Sequence, residues 1–221
     1  MPRFAIEIAL THISGLRDPL TEPHEWYVMP EFSFFDSDDA HEKAALWLSE
    51  AIEAGYVDDA VISESLSQRD AFWAIRESIP EAQTRAGGSI KHDVSVAISD
   101  LPKFIDEGSA LCKKIAPEGV LVIYGHLGDG SLHFNINTPD TGAHPEFFAK
   151  KTALNNALHE LTRLYRGSIS AEHGIGQLKR DELATFKNPV ALEVMRTIKQ
   201  TFDPHGIMNP GKVINADNDP K

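Results

Sequence analysis

Apolar residues recur along this chain at two spacings, and the two predict different elements. At helical spacing, Ala44, Trp47, Leu48, Ala51 and Ile52 mark a helix from His41 to Ala54, with Gly55 as its stop. Phe72, Ile75 and Ile79 mark another over Ser67 to Ile79, ending near Pro80 because a residue before proline is driven out of the helical region. Asp100 is placed to cap a helix that has Pro102 in its first turn and runs to about Ile115. Further helices are expected from about Pro145 to Tyr165 and, as a pair, over Lys179 to Phe202. At strand spacing, Val94, Val96 and Ile98 alternate, and Glu25 to Met29, Asp59 to Ile62 and Ser168 to Ala171 read as short strands. Phe4 to Leu10 fits either element.

The clearest alternation flanks Asp129-Gly130, a dipeptide that favours a two-residue hairpin turn. In that register Leu121, Ile123 and Leu127 line one face with Leu132, Phe134 and Ile136, while His126 opposes His133 and Tyr124 opposes Asn135 on the other. One face is core and the other carries chemistry; a longer loop would shift the pairing. A hairpin requires antiparallel strands, so the fold class is read as α+β. An antiparallel sheet covered by helices on one face, a ferredoxin-like cap, occupies residues 1–184, and 185–221 form a small helical, turn-rich carboxyl-terminal segment. No low-complexity linker or internal repeat divides the chain.

The chain's 221 residues, 42% hydrophobic and 24% charged, can bury a sizeable core. No apolar run approaches the roughly 20 residues of a membrane span, and the first residues lack a signal-peptide layout, so a cytoplasmic protein is expected. A formal charge of −12 disfavours nucleic-acid binding. With Cys112 the only cysteine, an internal disulfide is excluded and a metal would need histidine and oxygen ligands.

Opposed strand residues have Cβ atoms about 5 Å apart, so His126 and His133 could share one ion. Taken singly, each is more simply an ordinary loop or strand residue. Glu172 and His173 are adjacent and point to opposite sides of an extended segment, so one can bind metal while the other faces a substrate. A charged surface loop would also explain them. Arg76 and Lys91, with Arg85 as a third candidate, could clamp an organic acid, since a guanidinium grips a carboxylate through two parallel hydrogen bonds. Each is otherwise a solvated surface cation.

Four stretches in order carry a resemblance. They are Phe72 to Glu77 with Lys91-His92-Asp93-Val94-Ser95, then Gly125 to His133, then Ser170-Ala171-Glu172-His173-Gly174-Ile175-Gly176, and finally Phe202 to Lys212. Together they resemble the carboxyl-terminal half of FAD-linked oxidases of the vanillyl-alcohol oxidase superfamily. The similar branch holds D-2-hydroxyglutarate dehydrogenase, D-lactate dehydrogenase and the glycolate oxidase large subunit.

The resemblance implies His126, His133 and Glu172 as metal ligands, for zinc first and manganese or iron as alternatives. It implies Arg76, Lys91 and Asn135 as substrate-binding residues, His173 as the catalytic histidine between substrate and flavin, and Asn209 and Lys212 as positions approaching the FAD ring. An FAD-binding domain has no counterpart in these residues. An upstream flavin domain is therefore the expected partner, excised or on a separate chain, and the isolated chain is expected to be inactive as an oxidoreductase. A homodimer and an electron acceptor of open identity complete the expected partners. The activity implied is flavin-dependent oxidation of a D-2-hydroxyacid. D-2-hydroxyglutarate is the first substrate, because a cation cluster suits a dianion, and D-lactate or glycolate is the alternative. Pro80 stands where hydroxyglutarate enzymes can carry a hydroxyl residue. From other classes, a non-catalytic metal-binding ligand sensor and a metal-dependent hydrolase remain as rival readings.

Overall fold

A computed structural model describes residues 1–33 and 39–214. The last residues of the expected carboxyl-terminal segment, 215–221, lie outside the described residues. In chain order the helices are α1 (Arg3–His12), α2 (Ala40–Glu53), α3 (Leu66–Arg85), α4 (Leu101–Ile115), α5 (Pro145–Ala149), α6 (Lys151–Leu164), α7 (Arg180–Phe186) and α8 (Pro189–Phe202). The strands are β1 (Ser89–Ile90), β2 (Asp93–Ser95), β3 (Val120–His126) and β4 (Ser131–Asn137). All pairings are antiparallel: β3 runs along one edge of β4, and β1 and β2 share the other. This is the α+β class that the alternation of elements predicts.

Period-2 alternation makes the sheet two-sided. Ile90, Val94, Ile123, Leu132, Phe134 and Ile136 face one way and pack with Leu101, Phe104 and Cys112 of α4, Phe147 of α5, and Leu154, Leu158 and Leu161 of α6. Val122 and Tyr124 face the other way, against Ala5, Ile6, Ile8 and Ala9 of α1 and Ile75, Ile79 and Ala82 of α3. Helices therefore cover both faces, not one. The hydrophobic stripe of α1 is what closes the second layer. Cys112 is buried, and burial pushes its thiol up to about 12, so it behaves as a small apolar side chain.

Several elements depart from expectation. The α3 helix runs past Pro80 to Arg85, starting from a Ser65 hydroxyl that accepts the N–H of Gln68. Packing of Ile79 and Ala82 on both sides of the proline outweighs the one helical bond that proline removes. Residues 145–165 form two helices, broken at Lys150. Glu25 to Met29 and Ser168 to Ala171 contribute only isolated bridges, Pro2 to Trp26 and Ser95 to Ser168, and Asp59 to Ile62 is not a strand. Ile98 belongs to a 3-10 turn rather than to β2. Helix α2 forms where its periodicity places it but buries no residue. Helix α8 buries Leu192 and leaves Val190, Val194, Ile198 and Phe202 exposed. Among the described residues no helix is long and apolar enough to cross a membrane.

Candidate metal and substrate site

The β3–β4 hairpin positions the first two side chains, in a register that corrects the one expected. Leu127–Asp129 forms a 3-10 turn and Gly130 takes the left-handed conformation, at φ 75°, so the connection is four residues long rather than two. A Cβ on Gly130 would stand 2.0 Å from the Val96 carbonyl oxygen, so the close approach of this turn to the chain after β2 requires glycine. His126 then pairs with Ser131, and Tyr124 with His133. The offset from the expected pairing is two residues, an even number, so the strand residues keep their faces, while Leu127, expected on the core face, lies in the turn and is 57% exposed. His126 and His133 become diagonal neighbours rather than direct ones, at a Cβ spacing of roughly 7–8 Å that still allows convergence.

Glu172 fills the gap between them. Its Oε1 lies 3.1 Å from His126 Nδ1 and its Oε2 lies 3.3 Å from His133 Nε2. His173 stacks on His133, with ring centroids 5.6 Å apart. Burial lowers the His133 pKa, and Arg76 and His173 add to that effect against the opposing pull of Glu172 and Asp93. That shift favours the neutral ring, the form that ligates metal.

Asp93 was not among the residues singled out from sequence. It sits opposite His133 in the β2–β4 register and is 1% exposed. Its carboxylate accepts the backbone N–H of Glu172 (3.1 Å) and of His173 (2.8 Å). Burial would push this carboxyl up, but the His173 and Glu172 N–H groups, the His173 ring and Lys179 hold it below the usual range. Asp93, His133, Glu172 and His173 each offer a ligand atom within 4.8 Å of the others. The signal for Asp93 was its place on the polar side of an alternating strand.

Arg76 stands over the ring of Tyr124, 4.8 Å from the centroid, and that ring is 4.9 Å from His133. Arg76 is half-buried and has no carboxylate partner among the described residues. Arg85, by contrast, is engaged by Glu81 and the His12 carbonyl. Lys91 is exposed in the break between β1 and β2, and the pairs on either side put it level with Asn135 on the site face. Asn135 lies beneath the site, 2% exposed, accepting the His92 N–H at 3.2 Å and donating to Gln83 Oε1 at 3.1 Å. Gln83 also accepts from the Tyr124 hydroxyl at 3.3 Å, so a buried polar network fixes the floor.

Asn209 and Lys212 lie on the exposed segment after α8. Asn209 has φ 47°, and Lys212 donates to Gln177 Oε1 at 2.6 Å. The Val213 N–H donates to the Gly176 carbonyl at 2.7 Å, tying this segment to the loop that carries Glu172 and His173.

A family profile described as FAD linked oxidases, C-terminal domain, matches residues 1–213. The chain belongs to this FAD-linked oxidase family. Among its curated relatives, D-2-hydroxyglutarate dehydrogenase of Xanthomonas citri pv. viticola is 39% identical over 98% of this chain and 45% of the relative. The enzyme of the same name from Stutzerimonas stutzeri is 38% identical over 96% of this chain and 46% of the relative. The mitochondrial one of Arabidopsis thaliana is 35% identical over 95% and 36%. The chain thus spans less than half the length of these FAD-linked relatives.

Proposed function

We propose that the chain forms the substrate- and metal-binding part of a flavin-dependent D-2-hydroxyacid dehydrogenase, working with an FAD-binding domain upstream. The observation that carries this reading is the convergence of His126 and His133 on the two oxygens of Glu172, beside the Arg76 guanidinium, which has no carboxylate partner among the described residues. Two imidazole nitrogens and a carboxylate suit zinc, and also manganese or iron. When bound, such a cation supplies Lewis acidity toward the substrate hydroxyl and carboxylate, and FAD accepts the hydrogen on Cα as hydride.

The roles of the chain's own residues follow from their placement. His126, His133 and Glu172 hold the cation. His173, next to Glu172 and stacked on His133, takes the hydroxyl proton at a ring nitrogen as general base. Arg76 and Lys91 bind carboxylate from α3 and from the β1–β2 break, with Asn135 bracing the strand between them. Asn209 and Lys212 serve the flavin side from the carboxyl-terminal segment. Two cations suit a dianion, and the relatives are D-2-hydroxyglutarate dehydrogenases, so D-2-hydroxyglutarate is the first substrate.

The test uses a polypeptide that joins this chain to an FAD-binding domain. D-2-hydroxyglutarate should bleach the flavin absorbance, and D-lactate should do so at least tenfold more slowly, on the order expected when one cation of the site is left unpaired. The reverse order would reject the substrate. No bleaching with either acid, with zinc bound, would leave a metal-binding module without catalysis.

A further inference from the structure

Glu172 and His173 stand on a stretch without helix or strand, followed by Gly174 and Gly176 at φ 75° and 55°. Neither glycine would bring a Cβ within 4 Å of anything, so the chain there is not confined by packing. On one side the chain is anchored by the Ser95–Ser168 bridge and by Lys179, whose Nζ donates to the Ile169 carbonyl at 2.7 Å. On the other, the Lys179 N–H donates to the Ile175 carbonyl at 3.2 Å and the Val213 N–H to the Gly176 carbonyl at 2.7 Å. At Glu172 and His173 themselves, the backbone hydrogen bonds seen among the described residues all end on one acceptor, the Asp93 carboxylate.

We infer that Asp93 is the positioning residue of the site: a buried carboxylate that fixes where the Glu172 oxygens and the His173 ring stand relative to His133. The inference rests on the metal-binding reading proposed above. Two consecutive N–H groups converge on Asp93 Oδ2, at 3.1 and 2.8 Å, and the Ser170 hydroxyl lies 3.5 Å from the same oxygen. His173 Nδ1 is 3.6 Å from Oδ2, too long for a hydrogen bond, so Asp93 holds this residue through its backbone. Because Asp93 is level with His133 across the ladder, the strand that carries one ligand and the loop that carries another are joined through a single side chain. Asp93 needs no contact with metal or substrate to do this.

Asp93→Asn keeps the shape but replaces one acceptor oxygen with an N–H₂ group that faces the two backbone donors. Calorimetric titration of the chain with zinc should show affinity lower by roughly 10- to 100-fold in this variant, the usual cost of losing a group that orients a ligand. Its far-UV circular dichroism should match the parent's. Affinity within twofold of the parent would overturn the inference. A second measurement needs no variant: in the parent, the amide protons of Glu172 and His173 should exchange at least tenfold more slowly than that of Gly174. Exchange at the same rate as Gly174 would overturn the tether even if Asp93→Asn failed to fold. Absence of zinc uptake by the parent itself would be a failure of the metal-binding reading, and the inference would fall with it.

Discussion

At the scale of single residues, the site depends on groups that differ sharply in how firmly they are held. His133 is mostly buried between Tyr124 and His173, whereas His126 is half-exposed at the end of β3. Replacing His133 with alanine should therefore abolish metal uptake, from about one ion per chain to less than a tenth, as read by elemental analysis. Arg76→Lys keeps the charge but loses the planar fork and its stacking on Tyr124. In a flavin-joined polypeptide it should raise KM for D-2-hydroxyglutarate about tenfold with a smaller change in kcat; unchanged KM would remove Arg76 from the carboxylate clamp. That His126, His133 and Glu172 come together was legible from sequence, because the hairpin alternation puts both histidines on one face and the resemblance adds Glu172. Asp93 was not, because an aspartate at a strand's start looks the same whether it caps a turn or holds a loop 80 residues away. Only the tertiary fold supplies its partner, His173.

At the scale of elements, the hairpin shows which information is local. Alternation from Leu121 to Ile136 assigned the strand faces correctly, because hydrophobic burial enforces a period of two, but it failed at Leu127, which belongs to the turn and is exposed. The turn length was misread: Asp129-Gly130 signals a two-residue turn, but Asp129 instead accepts the Ser131 N–H at 2.9 Å and closes a 3-10 turn before the left-handed Gly130. Gly130→Ala should cost about 2 kcal/mol or more in chemical denaturation, combining the left-handed backbone with the clash at Val96. Helix α3 was ended too early for a related reason, since local propensity at Pro80 yields to packing on either side of it. Pro80→Ala restores a helical donor toward the Arg76 carbonyl and should raise stability. The gain is bounded by about 3 kcal/mol of helix propensity less about 1 kcal/mol of added freedom in the unfolded chain. The expected strand at Glu25 to Met29 has the right residue types but, among the described residues, no strand partner beyond the Pro2–Trp26 bridge, and propensity alone cannot make a ladder.

At the scale of the whole molecule, one thin sheet serves two interiors, and the one covered by α6 has an acid-sensitive polar edge. His92 Nδ1 donates to the Phe134 carbonyl at 2.9 Å, its Nε2 meets the Asn155 side-chain amide at 3.0 Å, and His159 packs edge-on against it from α6. Burial holds both rings down to about 4. The unfolded rings take up protons below about 6.5, so between pH 6.5 and 4 the unfolded chain binds more protons than the folded one. Stability from this pair is therefore complete above pH 6.5 and is lost as the pH falls toward 4, by a few kcal/mol at order of magnitude. Urea melts at pH 7.5, 5.5 and 4.5 should show the decline, and a His159→Gln variant should flatten it. The β4 strand is paired along both edges and covered on both faces, so it is held by every layer of the molecule, while the neighbouring Glu172–His173 segment hangs from one carboxylate. Warming should then dismantle the site in two stages: the loop departs first, and bound zinc is released several degrees below the temperature at which the far-UV signal collapses. A protein assayed only by its spectrum would look native after its chemistry had gone.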